Sequence, residues 1–315
     1  MLALLFPGQG SQEVGMGRDI CGESAGAREV FERADEALGF SISKLCFEGD
    51  EEAQRPTEVQ QPAILTTSIA LLTAFKERFE LKPSYLVGHS LGEYTALVAG
   101  RALELEDAVR LVHARGRFMQ AAVAGGQGAM AAVLGCPSET VEEACSAATR
   151  ANHGIVQPAN YNAPTQTVIA GQVGAVEFAS TEARRLGAKR VVPLQVSAPF
   201  HCPLMEPAAE QLAELLAEIP WRNLSTPVVG NVEAEPYQDA EAIASLLRAQ
   251  VTAPVRFTQS VKRLAALGVS RVIEVGPGRV LSGLVARIER RLAKTSVGDA
   301  VSLGEVGDFF VGGER

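Results

Sequence analysis

Residues 85–100 read YLVGHSLGEYTALVAG, and this stretch decides the fold class. The apolar run over 85–89 predicts a buried strand, and residues 91–100 predict a helix that Gly100 ends as its C-cap. Between them stands Gly-x-Ser-x-Gly with Ser90 at its centre, the pattern of a nucleophile elbow that lifts a serine hydroxyl above a sheet. An ordinary serine N-cap is the alternative, since such caps are common where a strand turns into a helix. The flanking strand, helix and glycines favour Ser90 as a nucleophile for acyl transfer.

Strands and helices alternate on both sides of this turn, which predicts an α/β fold with a parallel sheet. Gly125-Gly126 marks a change, because the next segment predicts strand–helix–strand–strand–helix–strand, the order of a ferredoxin-like module. We therefore predict a large domain of residues 1–125 and 198–315, interrupted by a small domain of residues 126–197. The predicted strands are 2–6, 85–89, 128–135, 155–162, 167–171, 189–197, 227–231 and 271–276. The predicted helices are 26–39, 61–79, 91–100, 104–123, 138–150, 175–187, 203–218, 239–250 and 257–267.

Composition excludes several classes of protein. Of the 315 residues 47% are hydrophobic and 21% are charged, so the chain can bury a large core. The net charge of −8 argues against nucleic acid as a partner, because phosphate binding needs a basic surface. Apolar stretches such as 63–75 are too short to span a membrane, and the start at MLALLFPGQG lacks a signal-peptide pattern. Five cysteines without C-x-x-C and four histidines without ligand spacing indicate reduced thiols, no metal site and a cytoplasmic protein.

A serine nucleophile needs a base, and the chain offers four histidines. His201 follows a predicted strand, lies between Pro199 and Pro203 and opens a helix, which is where α/β sheets place their chemistry. It is the candidate base, and a satisfied loop histidine is the alternative. Cys202 beside it is interpreted as a small packed residue rather than a rival nucleophile. The remaining histidines are interpreted as packing or solvated residues: His89, His113 and His153.

The tetrahedral intermediate of acyl transfer needs two N–H donors. The first is expected from the backbone of Leu91, directly after the nucleophile, and the second from a loop after an early strand. Residues 7–12, PGQGSQ, form such a loop, and its glycines let the backbone approach a ligand closely. A phosphate-binding glycine loop is the alternative, but Glu13 occupies the position of the last glycine in that pattern.

Several segments stand in the order found in one enzyme family. They are GQGSQ (8–12), GHSLGEY (88–94), ARGRFMQ (114–120), VSAPFHCPLM (196–205), Gln250 before PVRF (254–257), and EVGPGRVLSGL (274–284). Through them the chain, up to about residue 290, resembles the malonyl-CoA:acyl carrier protein transacylases, acyltransferases of fatty-acid and polyketide synthesis. The resemblance implies an α/β-hydrolase-like large domain with an inserted ferredoxin-like βαββαβ small domain.

The resemblance also implies catalytic roles. Ser90 would be the nucleophile and His201 the base, with the backbone carbonyl of Gln250 orienting the imidazole in place of a triad acid. The N–H groups of Gln9 and Leu91 would form the oxyanion hole. By its residue type alone Gln250 is a polar helix-end residue, so its role depends on the resemblance.

Substrate selection is the second implication. By sequence alone Arg115 is a solvated helix charge, but in the family the matching arginine pairs with the free carboxylate of the malonyl group. A substrate without that carboxylate would leave the guanidinium unpaired and be rejected. Phe200 would crowd a methyl group at the malonyl C2, which predicts malonyl over methylmalonyl. Asn160 and Asn162 would line the cleft, and turn asparagines are the alternative.

The implied reaction is a ping-pong transfer of malonyl from coenzyme A to Ser90 and then to the phosphopantetheine thiol of acyl carrier protein. It needs no organic cofactor and no metal. Fatty-acid synthesis is the expected pathway and a monomer the expected state. A discrete polyketide acyltransferase, a serine thioesterase or hydrolase, and a non-catalytic thioester-binding subunit are the alternatives. Acyl carrier protein is acidic, so a basic docking patch is expected, with these candidates: Arg184, Arg185, Arg287, Arg290 and Arg291.

Overall fold

The computed structural model describes residues 1–196, 198–307 and 309. Ser197, the last position of the predicted small domain, therefore lies outside the described residues. The same holds for Asp308 and residues 310–315 of the predicted large domain.

Ten strands and thirteen helices are formed by the described part of the chain. In chain order the strands are β1 (Leu2–Phe6), β2 (Tyr85–Gly88), β3 (Gly128–Leu134), β4 (Val156–Ala163), β5 (Gln166–Gln172), β6 (Arg190–Pro193), β7 (Val228–Val229), β8 (Pro236–Tyr237), β9 (Arg271–Val275) and β10 (Ala293–Val297). The helices are α1 (Arg18–Glu23), α2 (Ala25–Leu38), α3 (Ile42–Glu48), α4 (Thr57–Arg78), α5 (Leu91–Ala99), α6 (Leu105–Ala121), α7 (Ser138–Arg150), α8 (Val173–Arg185), α9 (Glu206–Glu218), α10 (Ala240–Thr252), α11 (Phe257–Ala266), α12 (Val280–Ile288) and α13 (Ala300–Glu305).

The larger sheet has the strand order β10-β9-β1-β2-β7-β8, and its strands are parallel except for β8. All five residues of β1, LALLF, are buried, as expected for a parallel strand with both faces covered. Leu4 and Phe6 pack into a cluster with α4 and α6, while Ala3 and Leu5 pack against α11 and α12. This confirms the predicted parallel-sheet α/β class.

The smaller sheet is antiparallel and has the strand order β4-β5-β3-β6. With α7 after β3 and α8 after β5, it has the βαββαβ connectivity of the ferredoxin-like module. The apolar sides of α7 and α8 form a separate cluster with the sheet, around Val133 and Ile169. The sheet uses residues 128–193, and the exact domain boundaries stay predictions.

The structure departs from the predicted elements in several places, and six of the described elements were not predicted: α1, α3, α12, α13, β8 and β10. The strand predicted over 189–197 ends at Pro193, and a 3-10 turn over Pro203–Met205 precedes α9. The strand predicted over 227–231 is only Val228–Val229. Strand β10 was not predicted because its sequence AKTSV is short and polar, yet it pairs with β9 over its whole length. The tail after residue 291 therefore completes the large sheet.

The register of the large sheet brings three loops to one edge. Phe6 pairs with Gly88, and Val87 pairs with Val229, so the loops after β1, β2 and β7 leave the sheet side by side. In open α/β sheets this carboxyl edge is where ligands bind. No helix of the described residues is both long and apolar enough to cross a membrane.

Candidate active site

Ser90 occupies a strained turn between β2 and α5. Its φ of 53° and ψ of −107° lie in a region that L-residues rarely adopt. A Cβ on Gly88 would overlap the Gly92 backbone, and one on Gly92 would overlap the carbonyl of Phe6. The two glycines are therefore required by close packing of strand and helix, as the Gly-x-Ser-x-Gly pattern predicts.

His201 lies directly against the serine. Its Nε2 is 2.8 Å from Ser90 Oγ, and its Nδ1 is 2.8 Å from the backbone oxygen of Gln250. A carbonyl oxygen only accepts, so Nδ1 carries the proton and Nε2 is free to accept the serine hydroxyl hydrogen. The structure thus brings together the three residues proposed from sequence as nucleophile, base and orienting group.

The imidazole of His201 is neutral in this environment. Burial, and secondly the nearby charge of Arg115, lower the pKa of His201 to about 3. The side chain is 3% exposed and its backbone φ is 58°. The imidazole nitrogen Nε2 is therefore unprotonated and can accept the Ser90 proton.

Arg115 is buried rather than solvated, with 2% of its surface exposed. Its Nη1 donates to Gln61 Oε1 at 2.7 Å, and its Nη2 donates to Gln250 Oε1 at 3.0 Å and to Ser90 Oγ at 3.1 Å. Its Nε has no hydrogen-bond partner, and no ion pair formed within the described residues includes it. A buried cation that lines the cavity, has no carboxylate partner and places Nη2 beside the nucleophile can bind an anion there.

A cavity of about 640 Å³ opens onto Ser90, His201 and Arg115. It lies between the two sheets, because Met130 of β3 and Asn160 of β4 line it together with residues of the large domain. Phe200 and the loop residue Gln9 also line it, as predicted. Leu91 is the first residue of α5, so its N–H has no acceptor within the helix and lies next to the nucleophile.

Asn162 is placed differently from Asn160. It is not among the residues that line the cavity, and its Oδ1 is 2.8 Å from Nε2 of His89. His89 itself lines the cavity, so Asn162 holds a wall residue of the site. Direct contact between Asn162 and substrate stays a prediction.

The other histidines and Cys202 have structural surroundings. His113 donates through Nδ1 to the carbonyl of Glu58, the acceptor that Pro62, four residues later in α4, leaves free because it has no N–H. His153 stacks on Phe178. Cys202 donates to a backbone carbonyl, and burial raises its pKa to about 11, so it is no rival nucleophile.

Several residues of the site were missed by the sequence analysis. The N–H of Ser90 donates to Asn231 Oδ1 at 2.6 Å, and the backbone oxygen of His201 accepts from Gln157 Nε2 at 3.0 Å. Asn231 ends the predicted strand PVVGN, and a polar residue at the carboxyl end of a strand is a signal that could have identified it. Gln61 and Glu93 carried no such signal. No group of three or more metal-ligating side chains occurs within the described part of the chain.

Comparison with known proteins assigns a family to residues 3–307, which match the acyl transferase domain. The malonyl CoA-acyl carrier protein transacylase of Bacillus subtilis is 47% identical over 298 residues, covering 95% of this chain and 93% of that protein. The Escherichia coli K12 protein of the same name is 43% identical over 297 residues, covering 94% and 96%. These matches include the tail after residue 291, which the sequence motifs did not reach.

Solved structures agree with this match. An acyl carrier protein S-malonyltransferase from Vibrio cholerae superposes with a TM-score of 0.94 at 42% identity, covering 97% of this chain and 99% of that one. A malonyl-transacylase solved in complex with its type II PKS acyl-carrier protein gives a TM-score of 0.94 at 41% identity, covering 98% and 99%.

Proposed function

Because the chain belongs to the acyl transferase domain family, we propose that it transfers a malonyl group from coenzyme A to acyl carrier protein through a malonyl-Ser90 ester. The large sheet supplies the nucleophile, and the cavity between the two sheets receives the acyl group.

One observation carries the choice of acyl group. The guanidinium of Arg115 is buried, has an unpartnered Nε, and lies 3.1 Å from the serine oxygen that would carry the acyl chain. A dicarboxylic acyl group places its free carboxylate within reach of this cation when its thioester carbon is at Ser90. An acyl group without a carboxylate leaves the cation desolvated and unpaired, which costs free energy.

In the first half-reaction His201 Nε2 takes the Ser90 proton as the oxygen attacks the thioester carbon. The N–H groups of Leu91 and Gln9 receive the developing oxyanion. The tetrahedral intermediate collapses, the carbon–sulfur bond breaks, and the coenzyme A thiolate takes the proton from His201. The Gln250 carbonyl stabilises the transient imidazolium through Nδ1.

The second half-reaction follows the same steps in reverse order, with the phosphopantetheine thiol of acyl carrier protein in place of the coenzyme A thiol. His201 takes the proton of the phosphopantetheine thiol, sulfur attacks the malonyl ester, and Ser90 leaves as a hydroxyl. Every atom and proton is then accounted for by Ser90, His201 and the two thiols, so the mechanism calls for no organic cofactor or metal.

Phe200 supports malonyl over larger acyl groups. Phe200 precedes the base and lines the cavity, where its ring would crowd a methyl at the malonyl C2. Asn160 offers an amide on the opposite wall, from the small domain. We place Asn162 behind His89, a residue of the wall formed by the large sheet, as a support for that histidine.

Acyl carrier protein is the acceptor that this function requires, and the product would serve fatty-acid synthesis. The structural relative solved with a type II PKS acyl-carrier protein makes polyketide synthesis the second candidate. Comparing transfer rates to acyl carrier proteins of both pathways separates the two. The expectations of a monomer and a cytoplasmic location accompany this proposal, and gel filtration with light scattering tests the first.

The decisive experiment is intact-mass measurement after mixing with malonyl-CoA, methylmalonyl-CoA or acetyl-CoA in separate reactions. We expect a malonyl adduct in the native protein and none in Ser90→Ala. Absence of the malonyl adduct, or equal labelling by acetyl-CoA, would overturn the proposal.

A serine hydrolase shares the elbow and the base, so transfer must be distinguished from hydrolysis. In a transferase the malonyl adduct persists until a thiol acceptor is added. Steady release of free malonate without acceptor would instead identify a thioesterase.

A further inference from the structure

Glu93 is a buried carboxyl group that the mechanism above does not use. It lies in the first turn of α5, three residues after Ser90, and is 1% exposed. It is absent from the cavity lining, so it has no access to substrate. Burial raises its pKa, and hydrogen bonds from its neighbours oppose that shift. Burying a carboxyl group costs free energy unless its oxygens accept hydrogen bonds, so its bonding partners indicate its role.

Three donors converge on this carboxyl group. Gln250 Nε2 donates to Oε2 at 2.7 Å, the backbone N–H of Asn231 donates to the same oxygen at 3.2 Å, and the Tyr237 hydroxyl donates to Oε1 at 2.9 Å. Gln250 and Asn231 are themselves 0% and 2% exposed. The side chain therefore joins α5 to the loop after β7, to β8 and to α10.

The two residues that donate to Glu93 Oε2, Asn231 and Gln250, also bind the nucleophile, the base and Arg115. Asn231 accepts the Ser90 N–H through Oδ1. Gln250 accepts His201 through its backbone oxygen and Arg115 through Oε1, and its Nε2 also donates to the Ser90 carbonyl at 3.1 Å. Both backbone polar groups of the strained serine are thus held by neighbours of Glu93.

Glu93 also fixes which way the Gln250 amide faces. The two ends of a glutamine amide have nearly the same shape, so packing alone does not orient it. Here a carboxylate, which only accepts, faces Nε2, and a guanidinium, which only donates, faces Oε1. The opposite orientation would put the NH2 group against Arg115 and two oxygens against each other.

We propose that Glu93 is a positioning residue for acyl transfer. Its carboxylate binds Gln250 and Asn231, and these two residues hold Ser90, His201 and Arg115 in their relative positions. Through Gln250, Glu93 does indirectly what the acid of a serine–histidine–acid triad does by direct contact with the histidine. This inference rests on the proposed function, because the rates that test it are those of malonyl transfer.

The test is single-turnover formation of malonyl-Ser90 at saturating malonyl-CoA, followed by quenching and intact-mass measurement. The amplitude gives the fraction of competent molecules, and the rate constant reports the geometry within that fraction. In Glu93→Gln one of the two acceptor oxygens becomes an NH2 group, so the Gln250 amide is no longer held in one orientation. We expect the rate constant to fall about tenfold or more, since small displacements of reacting groups have effects of this size.

Tyr237→Phe is the matched control. It removes the third donor to Glu93 but leaves the carboxylate and both amide contacts, so we expect a rate constant within about twofold of the native value, as for loss of one peripheral hydrogen bond. A second readout is the ratio of malonyl to acetyl labelling, which should fall in Glu93→Gln because the partner of Arg115 is no longer fixed. A purely structural role would lower the amplitude and leave the rate constant and this ratio unchanged.

The outcomes are separable. An unchanged rate constant in Glu93→Gln, or an equal fall in Tyr237→Phe, would overturn the positioning role even if the variants fold less well. Glu93→Ala provides a second variant, and its labelled fraction is expected to react more slowly still. No adduct in the native protein would refute the proposed function itself, independently of Glu93.

Discussion

Replacing Arg115 by methionine keeps a long side chain beside Ser90 and removes its charge. In the native protein Arg115 lines the cavity and its Nη2 lies at the serine oxygen, and an arginine typically pairs with a carboxylate through two parallel hydrogen bonds. Each hydrogen bond to a charged group contributes about 1.5–3 kcal/mol. Loss of both should therefore weaken malonyl loading by about 3 kcal/mol or more, which is roughly a hundredfold or more in kcat/KM.

Acetyl loading should respond in the opposite sense. Acetyl-CoA leaves the guanidinium unmatched in the native site, and Arg115→Met removes that penalty, so its loading should hold or rise. The assay is the rate of Ser90 acylation by each thioester, read as intact mass, with a thermal melt to verify folding. If malonyl and acetyl loading fell by the same factor, Arg115 would be a structural residue and the argument for selection would fail.

Three other changes test the site and its elbow. Gly88→Ala should abolish the native fold because a Cβ there overlaps the Gly92 backbone, whereas Gly22→Ala, with open space around it, should melt like the native protein; thermal unfolding compares them. Phe200→Ser should raise methylmalonyl labelling relative to malonyl in the intact-mass assay, and an unchanged ratio would remove Phe200 from the selection. Because burial lowers the His201 pKa from 6.5 to about 3, the acylation rate should show no midpoint near pH 6.5 in quenched-flow measurements between pH 5 and 8. As pH falls from 6.5 toward 3 the unfolded chain binds a proton that the folded chain refuses, so the free energy of unfolding should fall, and His201→Gln should flatten this dependence in urea titrations.

The sequence predicts best what depends on local pattern. The strand, turn and helix around Ser90 follow from the apolar runs and the two glycines of residues 85–92. His201 was selected as the residue after a strand of the parallel sheet, but the strand before it ends at Pro193 and belongs to the small sheet. The two-sheet architecture follows from the order of the elements. Each of these signals can be read along the sequence, so it is recognised without knowing which distant residues are in contact.

The supports of the site could not be predicted in this way. Asn231 binds Ser90 across 141 positions of sequence, and Gln61 binds Arg115 across 54. A glutamine or asparagine has the same appearance in a sequence whether it faces solvent or a buried cation, and only packing decides between them. Strand β10 was missed for a related reason, since an edge strand needs little apolar sequence to pair with a strand already in place.

The strand order of the large sheet has a consequence for synthesis of the chain. Ser90 is made early, but its neighbour strand β7 and the residues Asn231 and Gln250 are made more than a hundred positions later. Contacts so distant in sequence form late in folding. A nascent chain whose synthesis has not passed α10 therefore carries Ser90 without Gln250, the residue whose carbonyl oxygen orients the base.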